Sequence, residues 1–223
     1  LYRAMAAKQP GVITHVGLNT YIDPRQEGGK MNARTTDNLI ELIELSGREW
    51  LFFPSQTANV ALIRGTTADE DGNISLEHEP AMLEGISVAQ AVHNSGGIVI
   101  CQIKYLTQRG SLHPQMVRIP GFLVDKLVVD ETQDQNYAVH FDPSLSGEAR
   151  RPRKSIVPNP LDERRIIARR AAFELYPGSV VNMGVGISAG IPNVTAEEEL
   201  DGLFTITVES GVIGGVAGHG LFF

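Results

Sequence analysis

The apolar positions of this chain recur at two periods, and the alternation between them is the first signal of its architecture. Ile98-Val-Ile-Cys-Gln-Ile103 is a near-continuous apolar run behind Gly96-Gly97, which predicts a buried strand. Just upstream, Met82, Ile86, Ala89 and Val92 recur at helical spacing and Pro80 suits a first helical turn, so a helix is expected over 80–94. Residues 50–53 and 60–64 carry β-type runs, 69–73 is a turn and 74–76 a short return strand. Residues 1–8 read as the closing turns of a helix stopped by Pro10-Gly11.

The pattern then breaks. Residues 143–160 combine repeated prolines with the basic cluster Arg150-Arg151-Pro152-Arg153-Lys154, a linker composition. A second series follows: a helix over 162–175, Pro177-Gly178, a strand over 179–183, a glycine-rich loop over 184–190, a helix over 192–200 and a strand over 203–208 with Glu209 at its end. Strands alternating with helices predict an α/β fold. The organisation expected is one α/β domain portion over 1–142, a linker over 143–160 and the start of a second, similar domain over 161–223.

Composition narrows the function. A chain of 223 residues, 42% hydrophobic and 20% charged, can bury a core without staples. Its net charge of −7 gives no electrostatic reason to bind nucleic acid or an anionic membrane. Cys101 is the single cysteine and lies in an apolar run, which predicts a buried structural thiol and excludes an intrachain disulfide. No apolar stretch is long enough to span a bilayer and no signal-peptide pattern opens the chain, so a cytoplasmic protein is expected. The histidines lack metal-ligand spacing. Asp69-Glu-Asp-Gly-Asn73 fails as a calcium loop because Ile74 stands where glycine is needed and Pro80 where the bidentate glutamate belongs. No metal is expected.

Three chemistries compete for the second half. Gly184-Val-Gly186-Ile-Ser-Ala189 satisfies the dinucleotide fingerprint after a strand, with Glu209 near the distance of a ribose-binding acid, which would make a Rossmann-like nucleotide-binding module. Gly186-Ile-Ser188-Ala-Gly190 matches a hydrolase nucleophile elbow with Glu209 and His219 in the right order, but too few residues separate Ser188 from His219. In the third, Glu209 itself is the reactive group. The small residues Ser210 and Gly211 after it leave its carboxylate uncovered, and the apolar strand behind it would desolvate the charge and raise its nucleophilicity.

The stretch Thr-Val-Glu209-Ser-Gly-Val-Ile-Gly-Gly-Val resembles the active-site motif of the family I coenzyme A transferases, closest to the single-chain propionate and acetate type. Val181-Asn-Met-Gly184-Val-Gly186-Ile is similar to their glycine loop, and Pro160-Leu-Asp-Glu-Arg-Arg-Ile-Ile-Ala-Arg-Arg to the first helix of their second half. Gly11-Val-Ile-Thr-His-Val-Gly17, Tyr21-Ile-Asp-Pro-Arg25, Glu27-Gly-Gly-Lys-Met-Asn32 and Ile63-Arg-Gly-Thr-Thr-Ala-Asp69 resemble segments of the first half. This resemblance implies a ping-pong exchange of CoA between a short-chain acyl-CoA and a carboxylic acid, with Glu209 carrying CoA as a thioester. Gly184, Val185, Gly186, Ile187 and Ser188 would lie against CoA, and Glu27, Gly28, Gly29, Ser210 and Gly211 would line the acyl pocket. CoA would be substrate and covalent intermediate, with no permanently bound cofactor, and the enzyme a homo-oligomer. Both ends of the chain read as cut, with domain portions expected before Leu1 and after Phe223.

Overall fold

In the computed structural model the described residues are all but 138, 153, 154, 156, 185, 201, 210 and 215–223. They divide into two compact units: Leu1–Ser75 with Glu84–Glu131, and Leu76–Leu83 with the chain from Thr132 onward.

The first unit is built on three small sheets. Helix α1 (Tyr2–Ala6) leads into β1 (Gly11–Thr14), and β1, β3 (Arg48–Pro54) and β2 (Glu41–Leu45) form an antiparallel sheet in the order β1-β3-β2. Strand β4 (Val60–Arg64) is followed by β5 (Thr67–Asp69) and β6 (Ile74–Ser75), a hairpin around the predicted turn. Then come α2 (Gly85–Asn94), β7 (Ile98–Ile103), β8 (Tyr105–Thr107) and β9 (Lys126–Val129). The second sheet is parallel throughout, β4-β7-β9, with Ala61 opposite Val99 and Cys101 opposite Leu127. The third runs β6-β5-β8.

Ala61, Val99, Cys101 and Ile103 on the sheet, and Ala89 and Val92 on α2, are all buried. Cys101 is the buried thiol its apolar surroundings predict. On the opposite face of the same sheet Val60, Leu62, Ile98 and Val128 are exposed.

The end of α2 shows why Gly96-Gly97 stops a helix. Gly97 N–H donates to the Val92 carbonyl at 2.9 Å and Gly96 N–H to that of His93 at 3.0 Å, with Gly96 at φ 77°. That double bond satisfies the last carbonyls and needs a residue free to turn left-handed. The beginning of α2 differs from expectation: the helix starts at Gly85, not Pro80. Leu83, next to the N-cap residue Glu84, adopts φ 44°, a conformation that no right-handed helical turn can contain.

Asp69 organises the β5–β6 turn. Its buried carboxylate accepts from the backbone N–H groups of Asp71, Asn73 and Gly110 and from the Asn73 side-chain amide. Burial alone would push this carboxyl up, but the donors of Asn73, Gly110 and Asp71 outweigh it and hold it below the ordinary carboxylate range. The same turn packs on Gly121, whose N–H donates to the Asn73 side-chain oxygen at 3.0 Å.

The second unit contains α3 (Glu163–Ala172), β10 (Val180–Met183), α4 (Gly190–Glu197) and β11 (Thr205–Val208). Asp162 caps α3, its side chain accepting from Arg165 N–H at 2.9 Å. Strands β10 and β11 pair in parallel, Val180 opposite Thr205 through Met183 opposite Val208. Met183, Ile206 and Val208 from one sheet face form the core with Ala168 of α3 and Ile191 and Val194 of α4. The mixture of parallel strands and covering helices is the α/β architecture expected.

Candidate active site

The register of β10 against β11 creates the candidate site. Because the two strands are parallel and Met183 is level with Val208, the residues that follow, Gly184 and Glu209, leave the sheet side by side. Glu209 N–H donates to the Met183 carbonyl at 3.3 Å. In an open parallel sheet this carboxyl edge is where ligands bind, since the diverging loops leave a crevice there.

After β11 the chain reverses at once. Gly211 N–H donates to the Val208 carbonyl at 2.9 Å, Val208 N–H donates to that of Val212 at 3.0 Å, and Thr207 bridges Ile213 in antiparallel sense. Glu209 therefore sits at the tip of a tight turn closed by Gly211 at φ 95°, and it is exposed. The expected desolvation by the strand behind it is not what the structure has: a turn tip carries the residue out of the apolar layer. Ser210 and His219 lie outside the described residues.

On the β10 side, Gly186 adopts φ 114° and ψ −133°, open only to glycine, before a single 3-10 turn at Ile187–Ala189 runs into α4. The Ser188 hydroxyl donates to the Gly184 carbonyl at 2.8 Å, and Ala189 N–H to that of Gly186 at 3.2 Å. Gly186 and Ile187 are exposed, while Gly184 and Ser188 are half-buried. Ser188 thus ties the loop to itself, a different use of the hydroxyl from that of a nucleophile held by a base. Val185 lies outside the described residues.

Glu27, Gly28 and Gly29 belong to the first unit, on a loop after β1. Its organiser is the fully buried Asp23, which accepts from the N–H groups of Asn19 at 2.8 Å and Arg25 at 3.0 Å and from the Arg25 guanidinium at 2.9–3.0 Å. The Arg25 guanidinium, helped by those amides, holds the Asp23 carboxyl far below its usual range. Arg25 also reaches Glu49 of β3 at 3.0 Å. Gly28 and Gly29 take φ 61° and 75° to fold back, and Gly29 N–H donates to the Tyr21 carbonyl. The Asp-Pro step at Asp23-Pro24 was the available sequence sign of this turn.

Other supporting residues had no such sign. Asn159 is half-buried between exposed Pro158 and Pro160, inside the segment whose composition predicts a linker. Its backbone oxygen accepts from the Arg165 guanidinium at 2.8 Å and its side-chain oxygen from the Asn193 amide at 3.3 Å. Arg165 also pairs with Glu197 at 2.6 Å, and Arg169 pairs with Glu198. Among the described residues no cluster of metal-ligating side chains occurs, and no helix is long and apolar enough to cross a membrane.

A family model described as Coenzyme A transferase matches residues 1–130. The chain belongs to the coenzyme A transferase family. Within that family, the caffeate CoA-transferase of Acetobacterium woodii is 48% identical over 219 residues, covering 97% of this chain and 42% of that protein. The acyl-CoA transferase YdiF of Escherichia coli O157:H7, as the apoenzyme, superposes with a TM-score of 0.88 at 43% identity, over 97% of this chain and 41% of that one. Its thioester complex with CoA superposes with the same TM-score, at 42% identity over 99% of this chain and 42% of that one. The chain spans about two fifths of the length of these CoA transferases.

Proposed function

We propose that the protein transfers coenzyme A between an acyl-CoA and a carboxylic acid, with the Glu209 carboxylate as the nucleophile and CoA carrier. Glu209 attacks the acyl-CoA carbonyl carbon; a C–O bond forms, the C–S bond breaks, and CoA leaves as its thiolate, giving an acyl-glutamyl anhydride. The thiolate then attacks the glutamyl carbonyl carbon, expels the first carboxylate and leaves a glutamyl-CoA thioester. An acceptor carboxylate runs the sequence in reverse. Every step exchanges one activated acyl group for another, so neither water nor ATP is consumed and no proton needs to move.

The observation that carries this reading is the pairing of an exposed acid at a turn tip with a glycine loop, both leaving one parallel sheet edge. A carboxylate is a poor nucleophile, so binding energy from the distant nucleotide of CoA must favour the reacting state. The Gly184–Ser188 loop supplies backbone approach for that handle, since glycines let N–H groups face a ligand at a helix start. Backbone donors at the reacting carbonyl would each be worth about 3 kcal/mol. Support for CoA chemistry also comes from the relatives, one named a caffeate CoA-transferase and another solved as a CoA thioester complex. The acyl groups are proposed to be short, with Ser210 and Gly211 beside Glu209 lining their pocket, and the working enzyme a homo-oligomer.

The test is covalent trapping in the polypeptide as its gene encodes it. Incubation with acyl-CoA, reduction with borohydride and peptide mapping should locate the modification on Glu209, and Glu209→Ala should lower turnover by at least about a thousand-fold. Full transferase turnover with Glu209 unlabelled would sink the proposal, and so would loss of activity in Ser188→Ala with Glu209→Ala still active.

A further inference from the structure

Helix α4 begins where the glycine loop ends, so whatever fixes α4 also fixes the loop. Beside the apolar seam with α3 and the Arg169–Glu198 pair at its end, contacts to Asn159 and Arg165 hold it. At its first residue, a Cβ built on Gly190 would lie 3.3 Å from the Ala168 Cβ and 3.4 Å from the Asn159 side-chain nitrogen, a close approach to α3 and to the proline segment. One turn on, the Asn193 amide donates to the Asn159 side-chain oxygen at 3.3 Å. In the last turn, Glu197 pairs with Arg165 at 2.6 Å, while the same guanidinium donates to the Asn159 carbonyl at 2.8 Å.

Stability does not explain this cluster. The Arg165 and Glu197 side chains are only 21% and 14% exposed, and an ion pair so desolvated is often no better than an apolar pair of the same volume. Arg165 Nε, Asn193 Oδ1 and Glu197 Oε1 are buried with no hydrogen-bond partner among the described residues, which costs further. The apolar seam of Ala168, Ile191 and Val194 already joins the helices. Such a seam is non-directional and tolerates sliding; a planar guanidinium fork does not.

We propose that Asn159, Arg165 and Glu197 form a latch that sets the register of α4 on α3 and so positions the Gly184–Ser188 loop for the nucleotide end of acyl-CoA. They are positioning residues, and the assignment rests on the transferase reading given above. The latch weighs most on capture of CoA, because the acceptor step starts from CoA already held as the Glu209 thioester.

Ping-pong kinetics separate the two steps: kcat/KM for acyl-CoA reports the first and kcat/KM for the acceptor carboxylate the second. The apolar replacement Arg165→Met with Glu197→Leu, made in the polypeptide as its gene encodes it, should keep or raise the melting temperature. Its kcat/KM for acyl-CoA should fall about ten-fold or more, since misplacement by about 1 Å costs up to about a hundred-fold, while that for the acceptor, whose step begins with CoA tethered, falls less. A folded double variant with unaltered kcat/KM for acyl-CoA, or with equal loss in both, overturns the proposal. Should the double variant not fold, Glu197→Ala against Glu197→Gln decides: the alanine variant removes an acceptor of the Arg165 guanidinium and should lose acyl-CoA capture, and the glutamine variant, which keeps an acceptor oxygen there, should retain more of it. Equal behaviour of the two overturns the latch. A parent protein that never labels at Glu209 removes the transferase reading and the latch together, a result distinct from a labelled parent matched by its variants.

Discussion

The two glycines of the candidate CoA loop make unequal predictions. Gly186 sits at φ 114° and ψ −133°, and Gly184 at no positive φ; a Cβ on either meets nothing within 4 Å. Steric contact therefore cannot distinguish Gly186→Ala from Gly184→Ala, and backbone conformation alone must. Holding an L-residue in the region of Gly186 costs about 1–3 kcal/mol. Taking about 2 kcal/mol, the native loop conformer drops to about one part in thirty, at ten-fold per 1.4 kcal/mol. If only that conformer receives the nucleotide, apparent affinity falls by the same fraction. Gly186→Ala should thus lower kcat/KM for acyl-CoA about thirty-fold, with a smaller loss in Gly184→Ala, where a Cβ toward CoA adds no backbone strain. Steady-state kinetics with acyl-CoA varied, alongside thermal melts to confirm folding, measures both. Equal kinetics for Gly186→Ala and the parent, or equal losses in the two variants, would refute the claim that this backbone geometry is what CoA requires.

Three further outcomes follow from the first unit. Gly121→Ala should destabilise by about 3 kcal/mol in urea unfolding, because its Cβ would lie 2.0 Å from the Asp71 carbonyl oxygen and backbone must move; a loss under about 0.5 kcal/mol would contradict that contact. Asp69 has a folded pKa below its ordinary value of 3.8, so its stabilisation is present above that value and lost as pH falls through the folded one. Asp69→Asn should therefore be less stable by about 1.5–3 kcal/mol at neutral pH, with the two stability curves converging in acid; a difference independent of pH would count against the charge. Cys101, fully buried, should react with a thiol reagent only as fast as the first unit opens, so labelling in native buffer at the rate of the unfolded chain would contradict its burial.

What could be read from the sequence, and what could not, divides by the range of the interactions involved. Strand β7 was legible because Gly97 and the apolar run mark it locally, and β10, the glycine loop, α4, β11 and Glu209 emerged in order for the same reason. The start of α2 differs from the pattern because Pro80 and Met82 satisfy helical spacing while Leu83 takes a left-handed conformation that no residue type there announces. Strands β2 and β9 went unnoticed because Glu41, Glu44 and Lys126 interrupt their apolar runs, and what defines them is pairing with β3 and β7. Asn159 was concealed by its neighbours: prolines signal a linker, but nothing local says that the asparagine between them is bound by Arg165 and Asn193. The buried charge of Asp23 was hidden likewise, since its partner Arg25 is held by Glu49 only once the loop closes on β3.

Because Gly184 and Glu209 are set side by side by hydrogen-bonded strands, the distance between them does not depend on how many residues the chain uses to travel from one to the other. Extra residues in the exposed stretch after α4 would enlarge a surface bulge and leave the loop and the acid where they are. A slip of a single position between β10 and β11 would do the reverse, turning Ile206 and Val208 to the outer face and carrying the acid away from the loop with the chain length unchanged. Homologues of this chain are thus free to differ in length here, and constrained to agree in strand pairing.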